Sequence, residues 1–568
     1  MGTVTTTGVV FVHGIGDWAA CQTLREWSAP IACGLRSWAA DGAANGDGTA
    51  NSPPADPTVS TELDESGAAL SFIELAVPGD DTHEPQTWLL TEAWWAQLTQ
   101  PPTVGAMTQY VRTAIKPIVD GIANGYRERE RTWPEWVAGV RAQAAEPGYP
   151  YRDLVLGQFG EPGSGWIERL DWIQMHLTRL VLYPICGLVW LAMLLYAPIR
   201  ALPIDAIRNS SVLASFDAFL TGWFGGLPDI TRDAAQSAAV RARLADAIRG
   251  LRDRGCERVV VVAHSGGAVV TFETLTDAAY ADLAVDKVVT LGEGLDLVWR
   301  IETGAHDLAA TSSLDGDLSG RSGMGWVNFW SSYDPAPAGP MAQPATVKPF
   351  DHADRPTVNR MSVLDDHGSY WDNDEEFVRP LLQQIDAPHS ASADTEPAAS
   401  RFSTDAAIDA VRAVWRRQRV AVLATWRWIA TLGAALPLAL TTAVALLGIG
   451  GLRGPGKLGE AFAHWWVTVP GHEAVTTPLD VLLAAPSWPQ LLRQAGEWAL
   501  GAGLVVLGFL ALANVGIAAW SSWDARERAG AFTRIPARPS RRLPFVEFAL
   551  LSGVGAAASI GLVAYLWL

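Results

Sequence analysis

Two short stretches, far apart in the chain, carry the residue types that acyl transfer needs. In one, Val259-Val260-Val261-Val262 runs into Ala263-His264-Ser265-Gly266-Gly267-Ala268. β-formers, then small residues around a serine, then a helical pattern describe a buried strand turning tightly into a helix. So tight a turn needs small side chains two positions before and after the serine, and Ala263 and Gly267 meet that need. The serine would stand in strained backbone, its hydroxyl projecting, with a helix N-terminus behind it that favours developing negative charge. Ser265 is therefore the candidate nucleophile, with an ordinary turn serine as the bland alternative. In the other stretch, Val9-Val10-Phe11-Val12 is followed by His13-Gly14-Ile15-Gly16. A strand ending in such a glycine-rich loop lets backbone N–H groups approach a reacting oxygen.

The first string resembles the nucleophile elbow, G-x-S-x-G, of the α/β-hydrolases. It departs from that pattern at Ala263, which stands in place of the first glycine. The second string resembles the H-G-x-G loop of lipases and esterases. The resemblance implies an oxyanion hole made by the N–H groups of Ile15 and Gly266, with His13, Gly14, Gly16, His264 and Gly267 shaping the two motifs. It also implies the chain order Ser, then acid, then His. Asp334 follows the strand-like run Trp326–Trp330 and is the expected acid. His367 follows Thr357–Val363, in a D-H-x-x-Y string similar to the histidine loop of lipase-like members. Other candidates stay open: His306 and His352 as base, Glu293 and Asp296 as acid. Asp365 and Asp366 read as solvated. Neither a P-loop nor a full dinucleotide fingerprint is present, and no metal or organic cofactor is expected.

Residues near 13, 265, 334 and 367 can meet only if the chain builds a common scaffold. Strand-like runs lie at Gly8–Val12, Leu70–Ala76, Arg258–Ala263, Lys287–Leu291, Trp326–Trp330 and Thr357–Val363. Helical patterns separate them, at Arg25–Trp38, Val104–Arg131, Ala234–Asp253 and Ala268–Ala279. Alternation of this kind predicts an α/β class with a mostly parallel sheet and helices on both faces. The resemblance sharpens that to an α/β-hydrolase fold over residues 1–385. Asp41–Gly67, rich in Gly, Pro, Ser, Asn and Asp, reads as a surface loop. Trp88, Trp94, Trp95 and the pair Asp80-Asp81 are candidates to line the mouth, with packing as the plainer role.

The 568 residues carry a net charge of −18, which argues against a general nucleic-acid binder. The charge is uneven. Residues 401–568 hold 15 basic and 9 acidic groups, whereas 1–400 hold 27 and 51. Uncharged stretches at Leu180–Ile199, Trp428–Leu452, Trp498–Trp523 and Phe548–Leu568 run for 20, 25, 26 and 21 residues. About 20 apolar residues suffice to span a bilayer as a helix. The sequence thus predicts a transmembrane region of about three helices over 420–568, after a linker and basic juxtamembrane segment at 386–419. An apolar hairpin insertion at about 172–228 is expected to dip into the bilayer or to fold over the mouth as a lid. Arginines at 401–427 and 524–547 put those segments, and the catalytic domain, on the cytoplasmic side. No basic leader precedes the first strand. The 38 Arg against 4 Lys suggest a GC-rich, bacterial genome, so the membrane expected is a bacterial plasma membrane. Four cysteines without C-x-x-C spacing argue against a disulfide framework or thiolate metal site.

The resemblance, which covers residues 1–385, implies a serine hydrolase acting on ester bonds, and the uncharged stretches beyond it add the expectation of a membrane anchor. An apolar insertion beside the mouth makes membrane lipid acyl esters the favoured substrate. The rival expectations are a catalytically silent, membrane-tethered scaffold that binds a partner or lipid, and a transport component. Few ionisable groups in the apolar stretches weigh against the latter.

Overall fold

A computed structural model describes residues 5–44, 56–63, 69–79, 83–98, 104–159 and 234–302, and, with breaks, 172–178, 318–387 and 400–446. The chain divides into two compact units, Met1–Val420 with Arg528–Ala537, and Ala421–Glu527 with Arg538–Leu568. The first unit holds the described strands and the candidate site. Of the second, the described part is the helical run 421–446.

The first unit is built on an eight-stranded sheet. Its strands are β1 Thr5–Val12, β2 Thr58–Leu63, β3 Ala69–Val77, β4 Gln86–Glu92, β5 Arg258–His264, β6 Lys287–Leu291, β7 Gly325–Ser331 and β8 Ala353–Thr357. Their order across the sheet is β2-β3-β4-β1-β5-β6-β7-β8. From β4 to β8 every neighbouring pair is parallel, whereas β3 runs antiparallel to both β2 and β4. The α/β class and the mostly parallel sheet expected from the alternation are present.

The helices are α1 Gln22–Ala44, α2 Val104–Ala145, α3 Arg152–Phe159, α4 Ala234–Asp253, α5 Gly266–Thr276, α6 Leu295–Glu302, α7 Arg379–Asp386 and α8 Ala406–Leu446. Side chains alternate across a strand, so a central strand buried on both faces feeds two cores. Val10, Val12, Val259, Val261 and Ala263 pack against Leu244, Ile248, Val269 and Phe272 of α4 and α5. Val9, Phe11, Val260 and Val262 pack against Trp27 and Ile31 of α1 and Leu381, Leu382 and Ile385 of α7. This two-sided burial explains why β1 and β5 read as continuous apolar runs.

Four expectations need correction. Asp41–Gly67 is not all loop, because Thr58–Leu63 is edge strand β2. β4 was not anticipated, since Gln86–Glu92 follows a polar Pro-containing segment and has little alternation. The last strand is Ala353–Thr357, not Thr357–Val363. β8 is an edge, where polar residues and Pro356 are tolerated. The more strand-like Thr357–Val363 is instead turned by Met361, at φ 51.

The fourth correction concerns the basic segment before the expected membrane region. Arg401, Arg412, Arg416 and Arg419 are buried. Arg401 pairs with Asp386 at 2.8 Å, Arg416 with Glu375 at 3.0 Å, and Arg419 also with Glu375. Residues 400–420 therefore belong to the α/β unit and are no free juxtamembrane linker. Arg401, Arg416 and Arg419 thus have carboxylate partners inside the protein, which weakens them as a positive-inside signal. Among the described residues no helix is long and apolar enough to cross a membrane. The stretches 180–199, 498–523 and 548–568 lie outside the described residues, as do nearly all of the insertion at 172–228 and the linker at 388–399.

Candidate active site

The site lies at the C-terminal edge of the parallel strands, where β1, β5, β6 and β7 each release a loop. β5 turns into α5 through Ser265, whose φ of 55° and ψ of −122° are strained for a side-chain-bearing residue. The surroundings fix that strain. The Ser265 N–H donates to the Leu291 carbonyl at 3.2 Å, and its own carbonyl accepts from Gly294 and Ala268 at 3.1 and 3.0 Å. The small residues expected around the serine are required by close approach. A Cβ on Gly267 would lie 2.3 Å from the Val12 carbonyl oxygen, so the β1 loop and the start of α5 could not meet.

The three side chains singled out from the sequence come together. His367 Nε2 lies 2.9 Å from Ser265 Oγ, and His367 Nδ1 lies 2.9 Å from Asp334 Oδ1. Asp334 is fully buried and has two further donors. Tyr370 Oη donates to its Oδ2 at 2.8 Å, and the Ala336 N–H donates to Oδ1 at 2.9 Å. Burial would raise the Asp334 carboxyl. The His367 charge and these donors outweigh burial and hold it below the ordinary carboxylate value. For His367, burial lowers the pKa, but the Asp334 charge and hydrogen bond act more strongly and leave it raised. The arrangement favours an ionised acid, and the imidazolium that would form when the serine proton is taken.

The oxyanion expectation also has a place in space. A Cβ built on Gly266 would sit 3.5 Å from the Ile15 nitrogen, so the two predicted donor residues are adjacent. Among the described residues, neither N–H is engaged by a protein acceptor. Gly14 packs directly against Ser265, and Gly16 has φ 145°. His13 does not face the reaction. It is buried, stacks on Trp95 at 4.7 Å, donates from Nδ1 to the Gly14 carbonyl at 2.7 Å, and accepts the Trp95 N–H at Nε2. Burial lowers its pKa to about 4, so it stays neutral and shapes the loop. His264 donates from Nε2 to the His367 carbonyl at 2.8 Å, and burial with the nearby His367 lowers its pKa to about 3.

No family model, curated protein or solved structure matches the chain. The functional reading therefore rests on this geometry and on the motifs.

The open alternatives are narrowed. His352 pairs with Asp354 at 3.1 Å, and His306 lies outside the described residues. Glu293 is buried, and burial together with Asp296 raises its pKa well above the usual carboxylate range; the orienting place at His367 Nδ1 is taken by Asp334 Oδ1, at 2.9 Å. Trp88 and Trp95 are core residues, and Trp94 Nε1 donates to the Trp18 carbonyl. Asp80 and Asp81 lie outside the described residues. One assignment was wrong: Asp366 is fully buried. It accepts from Ser331 Oγ at 2.5 Å and from the N–H groups of Arg360 and Ser362 at 2.8 and 3.0 Å. Burial raises it to about 6 despite these donors. The role of Tyr370 at Asp334 was also missed, although the D-H-x-x-Y string contained it. Among the described residues, no group of His, Cys, Asp and Glu side chains could hold a metal ion.

Proposed function

We propose that this protein is a serine hydrolase of the α/β-hydrolase type that cleaves ester bonds through an acyl-enzyme. One observation carries the reading: a serine held at positive φ at a strand-to-helix turn, 2.9 Å from an imidazole that is itself 2.9 Å from a buried carboxylate. His367 takes the Ser265 proton as Oγ attacks the acyl carbonyl. Asp334 fixes the imidazole with its proton on Nδ1 and stabilises the imidazolium. The N–H groups of Ile15, in the loop after β1, and of Gly266, at the N-terminus of α5, stabilise the oxyanion. His367 then protonates the leaving alcohol, and the same machinery activates the water that releases the acid. Each step is performed by groups of the chain itself.

Lipid acyl esters are the proposed substrate class, and attachment to a bilayer is part of the same reading. Both are supported by the long uncharged stretches of the sequence and by the apolar insertion between the oxyanion loop and the elbow. The test is hydrolysis of a panel of lipid and short-chain esters by the full-length protein and by Ser265→Ala. Activity that survives the substitution overturns the proposal. Short-chain hydrolysis without lipid hydrolysis keeps the serine chemistry and removes the lipid assignment.

A further inference from the structure

The loop that carries His367 is held from outside the sheet by the first half of α8. Arg416, on α8, is buried and has no water in which to leave its guanidinium donors. Nε donates to the Val358 carbonyl at 3.2 Å, Nη2 to the Asn359 carbonyl at 3.0 Å, and Nη1 to Glu375 Oε2 at 3.0 Å. Asn359 passes the restraint on. Its Nδ2 donates to the Asp366 carbonyl at 3.0 Å, and its Oδ1 accepts from Asn373 at 2.9 Å. Asp366 precedes His367 directly. Its carboxylate collects the Arg360 and Ser362 N–H groups, and through Ser331 Oγ it ties this loop to the one bearing Asp334. Asn359, Asp366 and Glu375 are all buried.

A planar guanidinium satisfied in three directions at once is a rigid fixture, unlike a flexible ammonium. Burial would raise Glu375, but the charges of Arg419 and Arg416 hold it down at about 2, so the carboxylate partner stays ionised at any pH at which the protein works.

We infer that Arg416 is a positioning residue for the catalytic histidine, acting through Asn359 and Asp366, and that the catalytic unit consequently extends past residue 385 into the helix that leads to the apolar C-terminal region. This rests on the assignment of His367 as the general base. Removing the guanidinium frees the turn at 358–362 and lets the His367 ring drift from the line between Ser265 and Asp334. Catalysis is sensitive to displacements of this kind.

The experiment compares full-length wild type, Arg416→Ala, Arg416→Lys and Asn359→Ala. An alkyl fluorophosphonate titrates the reactive serine, and a soluble ester reports kcat and KM per titrated site across pH. The expected result for Arg416→Ala is a kcat about 10- to 100-fold lower per reactive site, with KM nearly unchanged. The acid limb of the pH profile moves down as the Asp334–His367 contact loosens. Arg416→Lys recovers part of the loss, and Asn359→Ala shows a smaller loss of the same kind. A merely structural role would lower the yield and melting temperature, while leaving kcat per titrated site and the pH limb in place. That result overturns the inference. If Arg416→Ala does not fold, Asn359→Ala, which leaves no charge unpaired, decides by the same readouts. Wild type that fails to label at Ser265 would refute the hydrolase assignment itself. Labelled wild type with variants of unchanged kcat and pH limb would refute this inference alone.

Discussion

Gly292 offers a severe test of the site, because it has no side chain and so carries no acid–base or nucleophilic group of its own. It follows β6 at φ 52°, and a Cβ there would lie 2.6 Å from Asp334 Oδ2, 2.9 Å from Tyr370 Cε2 and 3.1 Å from His367 Nδ1. Carbon–oxygen contact becomes ordinary near 3.4 Å. In Gly292→Ala the carboxylate must therefore retreat by about 0.8 Å, or the tyrosine and histidine must move with it. The Asp334–His367 bond, now 2.9 Å, has little slack before it ceases to be a hydrogen bond. A displacement of that order costs about 10²-fold in rate. The left-handed backbone adds roughly 1–2 kcal/mol of strain for alanine. Gly368→Ala is the control: it lies beside the same histidine, but its added Cβ meets nothing within 4 Å. The assay is kcat on a chromogenic ester, normalised to sites titrated by fluorophosphonate, with circular dichroism to establish folding. Gly292→Ala should fall about 100-fold or more, and Gly368→Ala should stay within about 3-fold of wild type. A folded Gly292→Ala with wild-type kcat would mean that the Asp334–Tyr370–His367 cluster is not the acid–base unit.

Three further outcomes follow from the same geometry. Only neutral His367 can accept the serine proton, so kcat/KM should decline as pH falls through its raised pKa; Asp334→Asn removes the raising charge, which moves that limb to lower pH and cuts kcat by about 10²- to 10⁴-fold. Tyr370→Phe removes one of the donors to Asp334, and a loss of about 3- to 30-fold is expected with the acid limb shifted upward, because the carboxylate charge is then less satisfied by others. Gly267→Ala forces a Cβ onto the Val12 and His13 carbonyl oxygens at 2.3 and 2.7 Å, a backbone clash that no rotamer relieves; thermal unfolding should show destabilisation of roughly 3 kcal/mol or more, or no folded protein.

The parts of this architecture that were legible in the sequence are those where local chemistry and burial agree. β1, β5 and β6 are buried on both faces along most of their length, so each carries an apolar run that announces it. Ser265 and Asp334 each sit just past a strand, where loop residues converge, whereas His367 lies further on, in the turn Asp366–Gly368 well beyond the end of β8. Legibility failed where tertiary context outweighs local pattern. Ala353–Thr357 is polar and contains proline, yet pairs in parallel with β7 as an edge. Asp366 looked like a surface acid beside Asp365, but three donors drawn from residues 331, 360 and 362 make it an internal tie. The arginines of 401–419 looked like a membrane-orienting cluster. Arg401 pairs with Asp386, and Arg416 and Arg419 pair with Glu375, up to 44 residues away in the chain, and no local window reveals those pairings.

The central claim is that the Ser265 hydroxyl is a nucleophile activated by His367. Treating the full-length protein with an alkyl fluorophosphonate, followed by peptide mass spectrometry, tests it directly. One stoichiometric phosphonyl adduct is expected on the Ser265 peptide, absent from Ser265→Ala and formed much more slowly in a His367→Ala variant. An unmodified Ser265, or labelling indifferent to the loss of His367, would contradict it.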